Sequence, residues 1–178
     1  MSPNQLINTV RIVPDFPKKG IQFYDITTLL KDAKAFAALL EAMRKNLEGR
    51  LIDTIVGIEA RGFMLGAPLA AQLGVGFVPI RKKGKLPAAT IEHSYELEYG
   101  TDTIAMHTDA FGARHRVAII DDLLATGGTA LAAATLIEKA GGAVDSLNVA
   151  IDLYNLDFLP NRKALEKYPL HSVMRAEG

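Results

Sequence analysis

With 178 residues, 49% of them hydrophobic and 22% charged, the chain has the balance of one globular domain and is too short for two comfortable ones. Twenty basic residues offset twenty acidic ones, so no global charge steers it to nucleic acid or an anionic membrane. The absence of cysteine excludes disulfides, thiolate metal sites and cysteine nucleophiles.

The opening stretch, MSPNQLINTVRIVPDFPKKG, has no basic start leading into a long apolar run. No segment nears the roughly 18 apolar residues of a membrane span. A soluble, cytoplasmic protein is expected. Phe36, Leu39, Leu40, Met43 and Leu47 recur at helical spacing, with Asp32 as N-cap and Gly49 as stop. Ile52 to Ile58 is short and β-branched, a buried strand. GFMLGAPLAAQLG (62–74) reads as a helix in which Pro68 lies near the first turn or makes a kink. VGFVPI (75–80) and TIAMHT (103–108) are the next strands, and VAII (117–120) a fourth. A helix from about Gly128 to Ala140 ends at Gly141-Gly142, and LNVAIDL (147–153) is a fifth strand. Strands alternating with helices predict an α/β domain with a mainly parallel central sheet flanked by helices. Residues 1–30 and the polar stretch 82–102 stand outside the alternation.

The stretch RVAIIDDLLATGGTA (116–130) is the most informative. Ligands of open α/β sheets bind beyond the carboxyl ends of the strands. Asp121 and Asp122 sit at that end of VAII, and LATGGT leads to a helix N-terminus, whose free N–H groups suit a phosphate. Gly127 and Gly128 let the backbone curl around the oxygens, and Thr126 and Thr129 add hydroxyl donors. Two carboxylates repel that phosphate but suit the two hydroxyls of a ribose. Side chains alternate along a strand, so both reach one ligand only if the chain has already left the strand. Together these features spell a ribose 5-phosphate site. A Walker loop is excluded by the missing lysine, and GVG at 74–76 lacks the third glycine of a dinucleotide fingerprint.

VAIIDDLLATGGTA (117–130) resembles the 5-phosphoribosyl 1-diphosphate (PRPP) motif of the type I phosphoribosyltransferase family, and DDLLATGGT its adenine-specific branch. VPDFPKKG, DITTLLKD, ARGF, IRKKGKLP and SYELEYG stand in the order that family shows, so the resemblance covers nearly the whole chain. It implies one domain over 1–178, with a hood (1–30) over the base and a flexible lid (82–102). It implies transfer of the 5-phosphoribosyl group to adenine, giving AMP and pyrophosphate, with Mg2+ on PRPP and a cytoplasmic homodimer. Asp121 and Asp122 would then hold the ribose hydroxyls, and Ala125, Thr126, Gly127, Gly128 and Thr129 the 5-phosphate. Arg61, Arg81, Lys82 and Lys85 would bind the pyrophosphate, with Arg61 and Glu98 counted as catalytic. Glu98 would steady the base side of the forming cation, and Tyr99 is its lid neighbour. Gln22, Phe23, Tyr24 and Leu123 would meet the base. The family pattern has a basic residue where Tyr24 stands, which leaves backbone recognition there. Lys83 reads as solvated and His93 as a bystander.

Two rival readings share the PRPP motif. An enzyme for 6-oxopurines needs a lysine or similar donor near the base, and Lys139 lies too deep in its helix. A non-catalytic PRPP sensor needs a DNA-binding module or basic surface, for which the chain has neither length nor charge.

Overall fold

The computed structural model of the chain describes residues 1–96 and 100–178. The first helix, α1 (Pro3–Ile7), begins with a Ser2–Gln5 capping box. A hairpin of β1 (Arg11–Pro14) and β2 (Gln22–Asp25) follows, paired Val13 to Phe23 and Ile12 to Tyr24. Hydrogen bonds from Thr27 and Arg11 hold the Asp25 carboxyl down at about 2. That pair therefore supports the hairpin above the usual carboxylate value, and the support is lost as pH falls toward 2.

After the single turn α2 (Thr27–Leu30), Asp32 caps α3 (Ala33–Leu47), its carboxylate accepting from the N–H groups of Lys34 and Ala35 at 2.9 and 3.1 Å. Leu39, Leu40, Met43 and Leu47 are buried as their spacing predicts, and Phe36 packs partly buried against the same core. Gly49 follows the helix at φ +75.

The main sheet has seven strands in the order β5-β6-β4-β3-β7-β8-β9. Its parallel part is β4 (Gly76–Lys82), β3 (Thr54–Ile58), β7 (Arg116–Leu124), β8 (Ala143–Leu153) and β9 (Leu170–Ala176). An antiparallel edge is made by β5 (Thr90–Glu96) and β6 (Thr101–His107), so TIAMHT is an antiparallel strand. Period-2 alternation sends Ile55, Ala118 and Ile120 into one core with α3 and α4 (Arg61–Leu73). Val56, Val117 and Ile119 face the other core with α5 (Gly128–Lys139). A last helix, α6 (Pro160–Leu165), precedes β9.

Three expectations change. Ile52 and Asp53 stay outside β3, because the Asp53 N–H and carboxylate bond the Arg116 backbone instead. Pro68 lies inside α4, not in its first turn. Asp121 and Asp122 have not left the strand: β7 continues to Leu124, two residues past the pair. They nevertheless reach one ligand site because β3 pairs with β7 only as far as Ile120, leaving residues 121–124 with an open edge. Alternating side chains can meet the same hollow from such an edge.

Candidate active site

Strand β3 pairs with β4 on one side and with β7 on the other, and a hollow opens between the carboxyl ends of β3 and β7. It measures about 250 Å³ and is lined by Glu59 to Arg61 and by every residue from Asp121 to Ala130. An adjoining hollow of about 230 Å³ shares Ile58, Glu59 and Thr129 and adds Arg81, Lys82, Tyr95 and Asp102. Residues drawn from Ile58 to Val149 thus form one cleft at the sheet's carboxyl edge.

Asp122 is buried, and Asp121 reaches water through the hollow it lines. Burial pushes the Asp121 carboxyl well above the usual carboxylate range, and the neighbouring Asp122 charge pushes it further. Burial raises Asp122 too, while Arg61 pulls it back. The Asp121 carboxylate accepts the Asp122 N–H at 2.9 Å, and Arg61 Nε lies 2.8 Å from Asp122 Oδ2. Arg61 is the first residue of α4, which approaches β7 so closely that a Cβ on Gly62 would stand 2.7 Å from the Ile120 carbonyl oxygen.

Beyond β7, Gly127 takes a left-handed φ of +84 and starts α5. No side chain caps α5 or α4, the two helices that begin at the hollow, whereas α3 elsewhere has Asp32. Uncapped N–H groups and a positive helix end at the floor of a cleft form an anion site. Ala125 to Thr129 line it throughout, and the Thr129 hydroxyl lies 3.1 Å from the Tyr95 hydroxyl.

Three of the four basic residues expected at the diphosphate have acidic partners. Arg61 pairs with Asp122, Arg81 with Glu59 at 3.1 Å, and Lys82 with Asp102 at 3.3 Å. Arg81 also donates to the Lys85 carbonyl, which ties Lys85 to the cluster. The hydrogen bonds of Arg81 lower the Glu59 carboxyl, so it stays ionised. The Arg61 pair has a buried carboxylate and is costly to break, whereas those of Arg81 and Lys82 are partly exposed and weak, roughly 0–1 kcal/mol each. An incoming polyanion can therefore exchange with the latter two at little cost. Lys83 pairs with Glu92 outside the hollows, as a solvated face.

The hood touches the site through Phe23, whose ring centroid lies 5.0 Å from the Arg61 guanidinium. Gln22 is exposed beside it, and Leu123 lines the first hollow. The Tyr24 side chain turns the other way: it is buried and donates to the Glu177 carbonyl at 2.7 Å. Glu98 and Tyr99 lie outside the described residues. The strand β5 that leads to them packs on α5, and within the expected lid it is a regular strand paired with β6. His93 lies 3.0 Å from Lys139 Nζ and lines a neighbouring hollow of about 600 Å³ that shares Thr126, Gly128 and Thr129 with the first.

Sequence reasoning missed Glu59, Asp102, Tyr95 and Arg162. Glu59 was legible, since an acid beside Arg61 at a strand end needs a cation partner. Asp102 and Tyr95 lie on the antiparallel edge, whose pairing to the main sheet was not expected, and Arg162 lies on α6, which no periodicity announces.

A profile of the phosphoribosyl transferase domain family matches residues 25–154. The chain is 55% identical over 175 residues to the adenine phosphoribosyltransferase of Thermoanaerobacter sp. (strain X514), covering 98% of this chain and 99% of that one. The solved adenine phosphoribosyltransferase of Thermoanaerobacter pseudethanolicus superposes with a TM-score of 0.93 at 53% identity, over 98% of this chain and 100% of that one. The Saccharomyces cerevisiae adenine phosphoribosyltransferase, complexed with an imino-altritol 1,6-bisphosphate and adenine, superposes with a TM-score of 0.90 at 37% identity, over 96% and 97%.

Proposed function

This chain belongs to the phosphoribosyl transferase family and has its type I fold, and from that premise we infer that it is an adenine-specific member. It transfers the 5-phosphoribosyl group of PRPP to adenine, giving AMP and pyrophosphate, a purine salvage reaction. The observation that carries this reading is the cleft itself: two adjacent carboxylates and an uncapped helix start share one hollow, and three paired cations stand beside it.

In the reaction, an adenine nitrogen bonds to the ribosyl carbon as the bond from that carbon to the diphosphate oxygen breaks, and the proton displaced from adenine passes to the released diphosphate or to solvent. Asp121 and Asp122 accept hydrogen bonds from the ribose hydroxyls, and Ala125 to Thr129 hold the 5-phosphate. Arg61, Arg81, Lys82 and Lys85 take up the charge that grows on the departing diphosphate, a large catalytic contribution. Mg2+ enters as part of the substrate, bound to diphosphate oxygens and water. As the diphosphate arrives, Arg81 and Lys82 exchange their carboxylate partners for phosphate oxygens, and Arg61 does so as the ribose hydroxyls take its place on Asp122. The released carboxylates keep those side chains oriented between turnovers.

Adenine lies between the hood and Leu123, with Phe23 beside it and the backbone of 22–24 on its edge. Its 6-amino group donates and N1 accepts, the reverse of a 6-oxopurine, so fixed backbone groups can separate them. Glu98 steadies the base side of the cationic centre, and Tyr99 helps close the lid of residues 82–102 against water. The enzyme acts as a homodimer in the cytoplasm. Among the described residues, no helix is long and apolar enough to cross a membrane.

Pyrophosphate release from Mg-PRPP, with adenine, hypoxanthine, guanine and xanthine offered separately, tests the reading. Turnover is expected with adenine alone. A 6-oxopurine that outruns adenine would leave the fold and PRPP site standing but overturn the base assignment. If PRPP binds and no base reacts, the protein is a sensor.

The ion pairs yield a second expectation. Asp102→Asn removes the carboxylate that competes for Lys82, so pyrophosphate should bind up to about fivefold tighter, the worth of a partly exposed pair. Product inhibition by pyrophosphate measures this. Weaker inhibition would show that Asp102 orients Lys82 more than it competes for it.

A further inference from the structure

Arg162, on α6, is only 4% exposed, yet no step described above uses it. Its Nη2 lies 2.6 Å from Asp152 Oδ1 and also meets the Asp157 carboxylate. Its Nη1 donates to the carbonyl of Leu124 at 3.2 Å and reaches that of Ala125 at 3.5 Å. A buried guanidinium is costly unless such partners satisfy it, and here two of them belong to the backbone of the phosphate-loop entrance.

Arg162 is not among the residues that line the first hollow. It lies behind the loop: a Cβ on Gly127 would stand 3.3 Å from both Arg162 Cδ and the Arg162 backbone nitrogen. In a planar trans peptide the carbonyl and the following N–H point in opposite directions. Carbonyls of Leu124 and Ala125 drawn toward Arg162 therefore turn the N–H groups of Ala125 and Thr126 away from it. Away from it is where the hollow opens beyond the end of β3.

We propose that Arg162 is a positioning residue of the 5-phosphate site, setting the direction of the loop's N–H donors from behind. The proposal rests on the reading of residues 125–129 as the 5-phosphate site. An arginine suits the task because its planar fork reaches two carbonyls and two carboxylates at once, which a lysine ammonium on a flexible stem does not.

The test compares binding of AMP, which carries the 5-phosphate, with binding of pyrophosphate and Mg2+, which do not touch the loop. Calorimetry on Arg162→Lys should show AMP weakened about tenfold or more, as for other groups that orient ligands from behind. Pyrophosphate affinity should stay within about twofold, as for independent sites. The KM for PRPP should rise while that for adenine holds. A purely structural residue would instead lower Tm and leave the AMP affinity of the folded fraction unchanged, which overturns the proposal. Asp157→Asn covers the case in which Arg162→Lys does not fold, since Asp157 is 57% exposed. It should weaken AMP by about two- to fivefold with pyrophosphate unaffected, and an unchanged AMP affinity again overturns it. Wild-type protein that fails to bind AMP would remove the functional reading itself. Wild-type binding with unaltered variants removes only the role of Arg162.

Discussion

Asp121→Asn is expected to stabilise the protein while disabling it. Burial and the Asp122 charge hold the Asp121 carboxyl well above its usual range, so ionising it in the free protein is unfavourable. Its contribution to stability is complete below the ordinary carboxylate value and is lost as pH rises through the raised one. Asparagine removes that loss and keeps an oxygen to accept the Asp122 N–H. The variant should therefore melt above wild type at pH 8, by about 2–4 °C for each kcal/mol recovered. The difference should shrink on moving down to pH 4. Activity moves the other way. A ribose hydroxyl bonded to a charged group is worth about 1.5–3 kcal/mol, and the double variant Asp121→Asn/Asp122→Asn forfeits two of them. A fall in kcat/KM for PRPP of about 10²- to 10⁴-fold is expected. Thermal melts across pH and steady-state rates measure both halves. A double variant with near wild-type kcat/KM would mean that the ribose sits elsewhere, and a destabilised Asp121→Asn would mean that the pair is structural.

Gly127→Ala is expected to be damaging as well, for a steric reason. At φ +84 an alanine pays about 1–2 kcal/mol for the left-handed backbone. Its Cβ would also stand 3.1 Å from Leu165 Cδ1 and 3.3 Å from the Arg162 nitrogen, and a backbone atom cannot rotate away. The loop must shift toward the hollow. Sites of this kind tolerate displacements of about 0.5 Å, and the few tenths of an ångström the contacts demand add to the backbone strain, so the KM for PRPP should rise by about ten- to a hundredfold. Adenine affinity in the presence of pyrophosphate should hardly change. Equal losses for both substrates would point to general unfolding, which a melt would reveal.

Much of this was legible before any coordinates. The helix over Ala33–Leu47 follows from its apolar spacing and Asp32, and the central strands follow from short β-branched runs. Asp121, Asp122 and the Gly127-Gly128 turn were found from charge and glycine placed at the end of an apolar strand. What was not legible depends on the far side of the sheet. Nothing local shows that β7 runs on to Leu124, because its last residues are held by β8 and by Arg162, a contact 38 residues away. The ion pairs of Arg81 and Lys82 were missed likewise, since Glu59 and Asp102 reach them from other strands. The hood's Tyr24 was placed at the base by resemblance, and its side chain is held instead by the Glu177 carbonyl at the opposite end of the chain.

The most direct measurement is a crystal structure with AMP bound. The 5-phosphate should lie within hydrogen-bond distance of the N–H groups of residues 125–129. The ribose hydroxyls should lie on Asp121 and Asp122, with adenine between Leu123 and the hood. A phosphate seated instead on Arg81 and Lys82, with the carboxylates still paired to Arg61, would contradict the assignment of the cleft.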